Sequence, residues 1–128
     1  MSSYENKAGI FTVRYGAPED MSPERQKALE TALRETSLRQ PIGIVFVVAP
    51  NVLMVDPSVP AYWLGVTGDP LIKMAAMAIV TTNAGVSIAT RGFSVANTLK
   101  DRQVKVRPFQ DEATALAWVT AVLEGRSA

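Results

Sequence analysis

The sequence predicts a single α/β domain: a mostly parallel β-sheet of about four strands with alternating helices packed on it. Ile42 to Ala49 is an uncharged run of mostly β-branched residues, the pattern of a strand covered on both faces. Strand-like and helix-period stretches alternate along the chain with short links, which implies parallel strands and right-handed crossovers. The 128 residues suit one domain, and a chain of this size buries about two-thirds of its unfolded surface without staples. Residues 1–128 are thus read as one unit, with 1–7 and 126–128 as flexible ends.

Ala8 to Tyr15 alternates partly, with Phe11, Val13 and Tyr15 on one side, and reads as a half-exposed first strand ended by Gly16 to Asp20. Ser22 followed by Pro23 is an N-cap with proline at the first helical position, and Glu19, Asp20 and Glu24 sit where the helix dipole favours negative charge. Ala28, Leu29, Ala32 and Leu33 then recur at helical spacing, so an amphipathic helix is expected before Pro41. After the central strand comes a break at Ala49-Pro50-Asn51 and a short apolar run, Val52 to Val55. Asp56 to Pro60 then opens a helical segment with Tyr62, Trp63 and Leu64, weakened by Gly65 and Gly68.

Asp69-Pro70 looks like another N-cap, predicting about two helical turns through Leu71, Ile72 and Met74. Met77 to Thr82 reads as a buried strand. Asn83 to Leu99 permits either a hairpin through a Gly-containing turn or a helix striped by Val86, Ala89, Phe93 and Ala96, with Ile88, Val95 and Leu99 beside it; length favours the helix. Val104 and Val106 alternate with Lys105 and Arg107 before Pro108, as in a strand near a sheet edge. Asp111 caps a last helix whose expected apolar face is Ala113, Leu116, Ala117, Val119 and Leu123, ended by Gly125.

Thirteen basic and twelve acidic side chains leave a net charge of +1, which favours neither nucleic acid nor an anionic surface. Cysteine and histidine are both absent. That removes thiolate nucleophiles, zinc sites of ordinary composition and the commonest general base near neutral pH. No cofactor, metal or catalytic residue is expected. With no signal-peptide core and no apolar stretch of membrane-spanning length, a cytoplasmic location is the default, without membrane insertion.

Among the remaining candidates, Asp56 and Ser58 lie in a VDPS turn at a helix start, where a phosphate on Ser58 would meet free amides and the positive dipole end. The same residues serve as an ordinary capping turn. Thr81, Thr82, Asn83 and Ser87 cluster where a strand meets a helix, a common ligand position in parallel sheets and equally a cap. Lys100, Arg102, Lys105 and Arg107 form a basic patch without interleaved aromatics, so a solvated edge accounts for it better than nucleic acid. Tyr62, Trp63 and Trp118 suit a ligand cavity or partner surface, but aromatics on helices packed against a sheet more often belong to the core; Tyr62, Trp63, Met74 and Phe93 would line any apolar pocket between helices and sheet. Lys73 is the one lysine embedded in an apolar segment, and snorkelling explains it.

The segment VKVRPFQDEATALAWV resembles the closing strand, Phe, acidic cap and Ala-Leu-Ala-Trp helix of the STAS/SEC14-like (SpoIIAA-like) domain family, related to anti-sigma-factor antagonists. Gly92-Phe93 through Asn97 and Leu99 resembles the preceding helix of that family, which strengthens the helical reading. In the antagonist branch the central region leads into Asp-Ser-Ser-Gly with the second serine as phosphoacceptor. Asp56 and Ser58 match that Asp and that Ser, while Pro57 and Val59 replace the first Ser and the Gly. Those departures weigh against a phosphorylation switch. The resemblance implies a non-enzymatic interaction or regulatory module, with another protein as partner, a kinase or an anti-sigma-like regulator being the implied class. Its contact surface is expected at Asp56, Ser58, Tyr62, Trp63, Thr82 and Asn83. A small-molecule carrier or sensor, for a lipid-like or nucleotide ligand, is the alternative.

Overall fold

The computed structural model describes residues 4–15, 23–50, 58–100 and 104–125. Its elements are strand β1 (Tyr4–Lys7), strand β2 (Ile10–Tyr15), helix α1 (Pro23–Ser37), strand β3 (Ile42–Val48), helix α2 (Ser58–Thr67), strand β4 (Met74–Val80), helix α3 (Ala84–Leu99), strand β5 (Lys105–Phe109) and helix α4 (Glu112–Leu123). The five strands lie in sequence order in one sheet. β1 is antiparallel to β2, and every later pair is parallel.

Because each step from β2 to β5 moves the same way across the sheet, right-handed crossovers put α1, α2 and α3 on the same face. Leu29 and Leu33 of α1, Trp63 and Val66 of α2 and Phe93 of α3 form one core there with Phe11, Ile44, Phe46 and Met77. Only α4, which follows the last strand, is free to cross to the other side. It packs Ala115, Trp118 and Val119 against Val45, Ala76, Ala78 and Val80. β3 and β4 are therefore covered on both faces, which is why the run from Ile42 carries no charge.

The two faces are packed differently. Toward the three helices β3 presents Ile42, Ile44 and Phe46, whereas toward α4 the sheet offers small residues, Gly43, Ala76 and Ala78. A Cβ at Gly43 would collide with Cγ1 of Val119, so the glycine sets how closely α4 approaches. A register shift at Ile42/Gly43 pairs Ile42 with Met74 but Gly43 with Ala76, and this extra residue in β4 lets Met74 and Met77 share the larger core.

Three sequence expectations are corrected here. Tyr4–Lys7, expected as a flexible end, is an edge strand, joined to β2 by a two-residue turn in which Ala8 (φ 53°) and Gly9 (φ 85°) are both left-handed. That is the turn whose twist suits a hairpin, and alanine at its first position hides it from the sequence. The helix expected after Asp69 is a turn only. Asp69 caps it by accepting from Leu71 N at 2.9 Å, and β4 begins at Met74, three residues ahead of the predicted strand start. In α4 the buried positions are Ala115, Trp118 and Val119, while Ala113 and Ala117 are exposed. The prediction over Asn83 to Leu99 resolves as helix, with Asn83 as its N-cap.

The packing at Gly43 makes a direct prediction. Gly43→Ala should lower stability to urea by about 1–3 kcal/mol through overpacking. Because Val119→Ala opens the same space, the double variant should be destabilised by less than the sum of the two single changes, with a coupling of about 1 kcal/mol. Strict additivity would mean that Gly43 and Val119 do not share a contact.

Candidate functional site

In a parallel sheet the helices run back against the strands, so helix starts collect at the strand C-terminal end. Here α2 begins at Ser58, α3 is capped by Asn83 and α4 by Asp111. Backbone bonds from Ala49 N to Tyr15 O and from Thr81 N to Phe109 O tie this rim together. Arg14, at the end of β2, makes a two-pronged pair with Glu112 at 2.7 and 3.0 Å, and its hydrogen bonds hold that carboxyl below the ordinary range.

Each expected site residue can be placed on this frame. Asp56 lies outside the described residues, and Ser58 is fixed as the first residue of α2. Asn83 uses its side chain as an N-cap, accepting from Val86 N at 3.1 Å, and its own N donates to Thr81 Oγ1 at 3.0 Å. Thr82, between them, is exposed. Tyr62 is half-buried and donates to Glu30 Oε1 at 2.9 Å. Burial, helped by that bond, pushes its phenol up to about 12, so it stays protonated at any physiological pH.

Trp63 sits in the larger core, 3% exposed, edge-on to Phe46 and to Tyr62 with ring centroids 4.9 and 5.5 Å away. It presents no surface of its own. Among the described residues its indole N–H has no hydrogen-bond partner, which is a cost for a buried donor. Met74 and Phe93 belong to the same packed cluster, so three of the residues expected to line an apolar pocket fill the core instead. A hollow of about 470 Å³ is found elsewhere, between the β1–β2 turn and the end of α1, and its walls are polar: Asn6, Glu35, Thr36, Arg39 and Gln40 with Ala8 and Gly9. Of the basic patch, Lys100, Lys105 and Arg107 are exposed, Arg107 resting over the Phe109 ring at 5.3 Å, and Arg102 lies outside the described residues. Lys73 is exposed in the turn before β4. Among the described residues, no cluster of three or more acidic, cysteine or histidine side chains is placed to hold a metal ion, and no helix is long and apolar enough to cross a membrane.

The surface that sequence reading missed is the outer face of α3. Inward, Val86, Thr90, Phe93 and Asn97 are buried, and Asn97 ties the helix to α2 by accepting from Thr67 Oγ1 at 2.6 Å. Outward, Ile88, Val95 and Leu99 are 70, 57 and 80% exposed. With Gly85 and Gly92 they form a second seam at alternating spacings of three and four, the spacing of a helix that docks along another surface. Among the described residues, nothing lies within 4 Å of a Cβ built at Gly92. The outward face of α1 at the same sheet layer carries Lys27, Arg34 and Glu35, whereas Arg91 is the one charge within α3. A helix apolar on both sides was legible as two interleaved seams, but periodicity alone merged them into one stripe.

The architecture defines a class, a small α/β domain of the SpoIIAA-like (STAS) fold. A crystal structure of an uncharacterized protein of the DUF3478 family from Shewanella loihica PV-4, described as having a SpoIIAA-like fold, covers 93% of this chain and 92% of its own at a TM-score of 0.53 and 20% identity. At that identity the likeness shows the fold alone. No protein-family profile matches the chain, and no curated protein does.

The orphaned indole of Trp63 yields a prediction. Trp63→Phe retains an aromatic edge against Phe46 while removing the unsatisfied donor, so it should cost about 1 kcal/mol or less in urea denaturation. Trp63→Ala should cost about 3–5 kcal/mol. A loss for Trp63→Phe comparable to the alanine change would show that the N–H has a stabilising partner in solution.

Proposed function

We propose that this domain is a non-enzymatic, cytoplasmic protein-interaction module, with α3 and the adjoining starts of α2 and α3 as its contact surface. The observation that carries the reading is the exposed seam of Ile88, Val95 and Leu99 on a helix bearing a single charge. Exposed apolar side chains arranged contiguously, as opposed to scattered singly, are the usual mark of a recognition surface. Ser58, at the start of α2, is kept as the phosphoacceptor candidate with Asp56, which lies outside the described residues; added negative charge at Ser58 would repel an acidic partner or recruit an arginine-bearing one. The SpoIIAA-like fold is compatible with a regulatory role of this kind, including a kinase or an anti-sigma-like regulator as partner.

The test is a quantitative pull-down from the native host using the full chain. Ile88→Glu combined with Val95→Glu removes two apolar anchors of about 1–2 kcal/mol each. A partner retained by the wild type should bind at least about thirtyfold more weakly to this variant, with its thermal melt unchanged. Unchanged partner binding by the double variant contradicts the α3 assignment. Identical partner sets for wild type, Ser58→Ala and Ser58→Asp remove the phosphorylation switch.

A further inference from the structure

The opposite end of the sheet, where the helices finish and the strands begin, carries its own pattern. Leu38 follows the last residue of α1, Leu71 lies in the turn before β4, and Leu99 ends α3; they are 80, 63 and 80% exposed. The ends are drawn together by polar ties. Lys73 N donates to Ser37 Oγ, Arg34 pairs with Asp69 at 2.6 Å, and Thr67 donates to Asn97. Each leucine stands within two residues of an exposed cation: Leu38 with Arg39, Leu71 with Lys73, Leu99 with Lys100. Lys105, which opens β5, and Lys7, which closes β1, add to the same end. Of the described carboxylates there, Asp69 is already matched by Arg34, whose hydrogen bond holds it below the ordinary range. Glu35 is exposed at the same end, and Glu124 lies under the other face of the sheet.

Cations near helix C-termini have a local reason to be present, since they complement the dipole. The leucines have none. Leu38 and Leu71, on two separate turns, belong to other elements than the α3 seam and do not extend it into a groove for a protein partner; with Leu99 at the end of α3 they are three apolar tips, each beside a positive charge. They suit a laterally uniform, soft and negatively charged layer, into which tips sink while lysine and arginine stay among the headgroups.

We propose that this end of the domain is a docking surface for an anionic lipid bilayer, with Leu38, Leu71 and Leu99 entering the headgroup layer and Arg39, Lys73, Lys100 and Lys105 contacting lipid phosphates. This is attachment to a surface and requires no spanning segment. It stands apart from the protein contact on α3, and Leu99, shared by both surfaces, is left untouched in the test.

Full-length protein is sedimented with vesicles of mixed phosphatidylcholine and phosphatidylglycerol and with vesicles of phosphatidylcholine alone. The wild type should pellet with the anionic vesicles at low salt, weaken as salt rises, and stay in solution with the neutral ones. Leu38→Gln with Leu71→Gln, and separately Arg39→Glu with Lys73→Glu, should each lower partitioning by roughly tenfold or more. All four side chains are exposed, and an unchanged circular-dichroism melt shows that each variant folds. Failure of the wild type to pellet, equal binding to neutral vesicles, or binding that survives the leucine substitutions overturns the proposal. Loss of a protein partner in the leucine variants without any vesicle binding would assign the surface to a protein instead.

Discussion

Burial of β3 and β4 on both faces is the constraint from which the rest of the architecture follows. Two adjacent strands with no solvent face need a helical layer on each side, and the chain meets this with unequal means. Three helices and large side chains such as Phe46 and Trp63 cover one face; a single helix over Gly43, Ala76 and Ala78 covers the other. The small residues let α4 seat close to the sheet, and Trp118, against Phe109 at 5.4 Å, fills the margin toward the β5 edge. Central strands sealed in this way leave recognition to helix faces and loop ends.

Those remaining surfaces separate by topology. Parallel strands with helices returning against them gather helix starts at one end of the sheet and helix finishes at the other. The first end holds the caps Asn83 and Asp111, the Ser58 start of α2 and the Arg14–Glu112 pair. The second holds the leucine tips and most of the exposed cations that flank them. α3 connects the two ends along its length with an apolar outer seam. A nearly neutral chain can therefore present distinct surfaces, because its charges are sorted by the direction of its strands.

How much of this the sequence revealed depended on whether the signal was local. The uncharged run from Ile42, the Asp111 cap and the alternation of Val104 to Arg107 each carry their own physics, and the corresponding elements formed there. The helix over Asn83 to Leu99 was readable because sixteen residues at helical spacing outweigh one Gly-containing turn signal. What escaped was set by tertiary context. Ala8 adopts a left-handed turn because β1 pairs with β2, and Leu71 and Ile72 remain a turn because β4 must start at Met74 to pair with Ile42. At the candidate site, Asn83 was legible as a cap, whereas Trp63 looked available for contact because an aromatic on a short helix has the same spacing whether it faces a core or a partner. The outward seam of α3 needed the neighbours of each side chain, which periodicity does not supply.

The central claim, that the doubly covered strand pair holds the fold together, is tested most directly by native-state amide hydrogen exchange. β3 and β4 amides should exchange only through global unfolding and share one free energy, while β1 amides, on an exposed edge, exchange through local opening with much lower protection. Protection of β1 equal to that of β3, or rapid exchange in β4, would contradict the account.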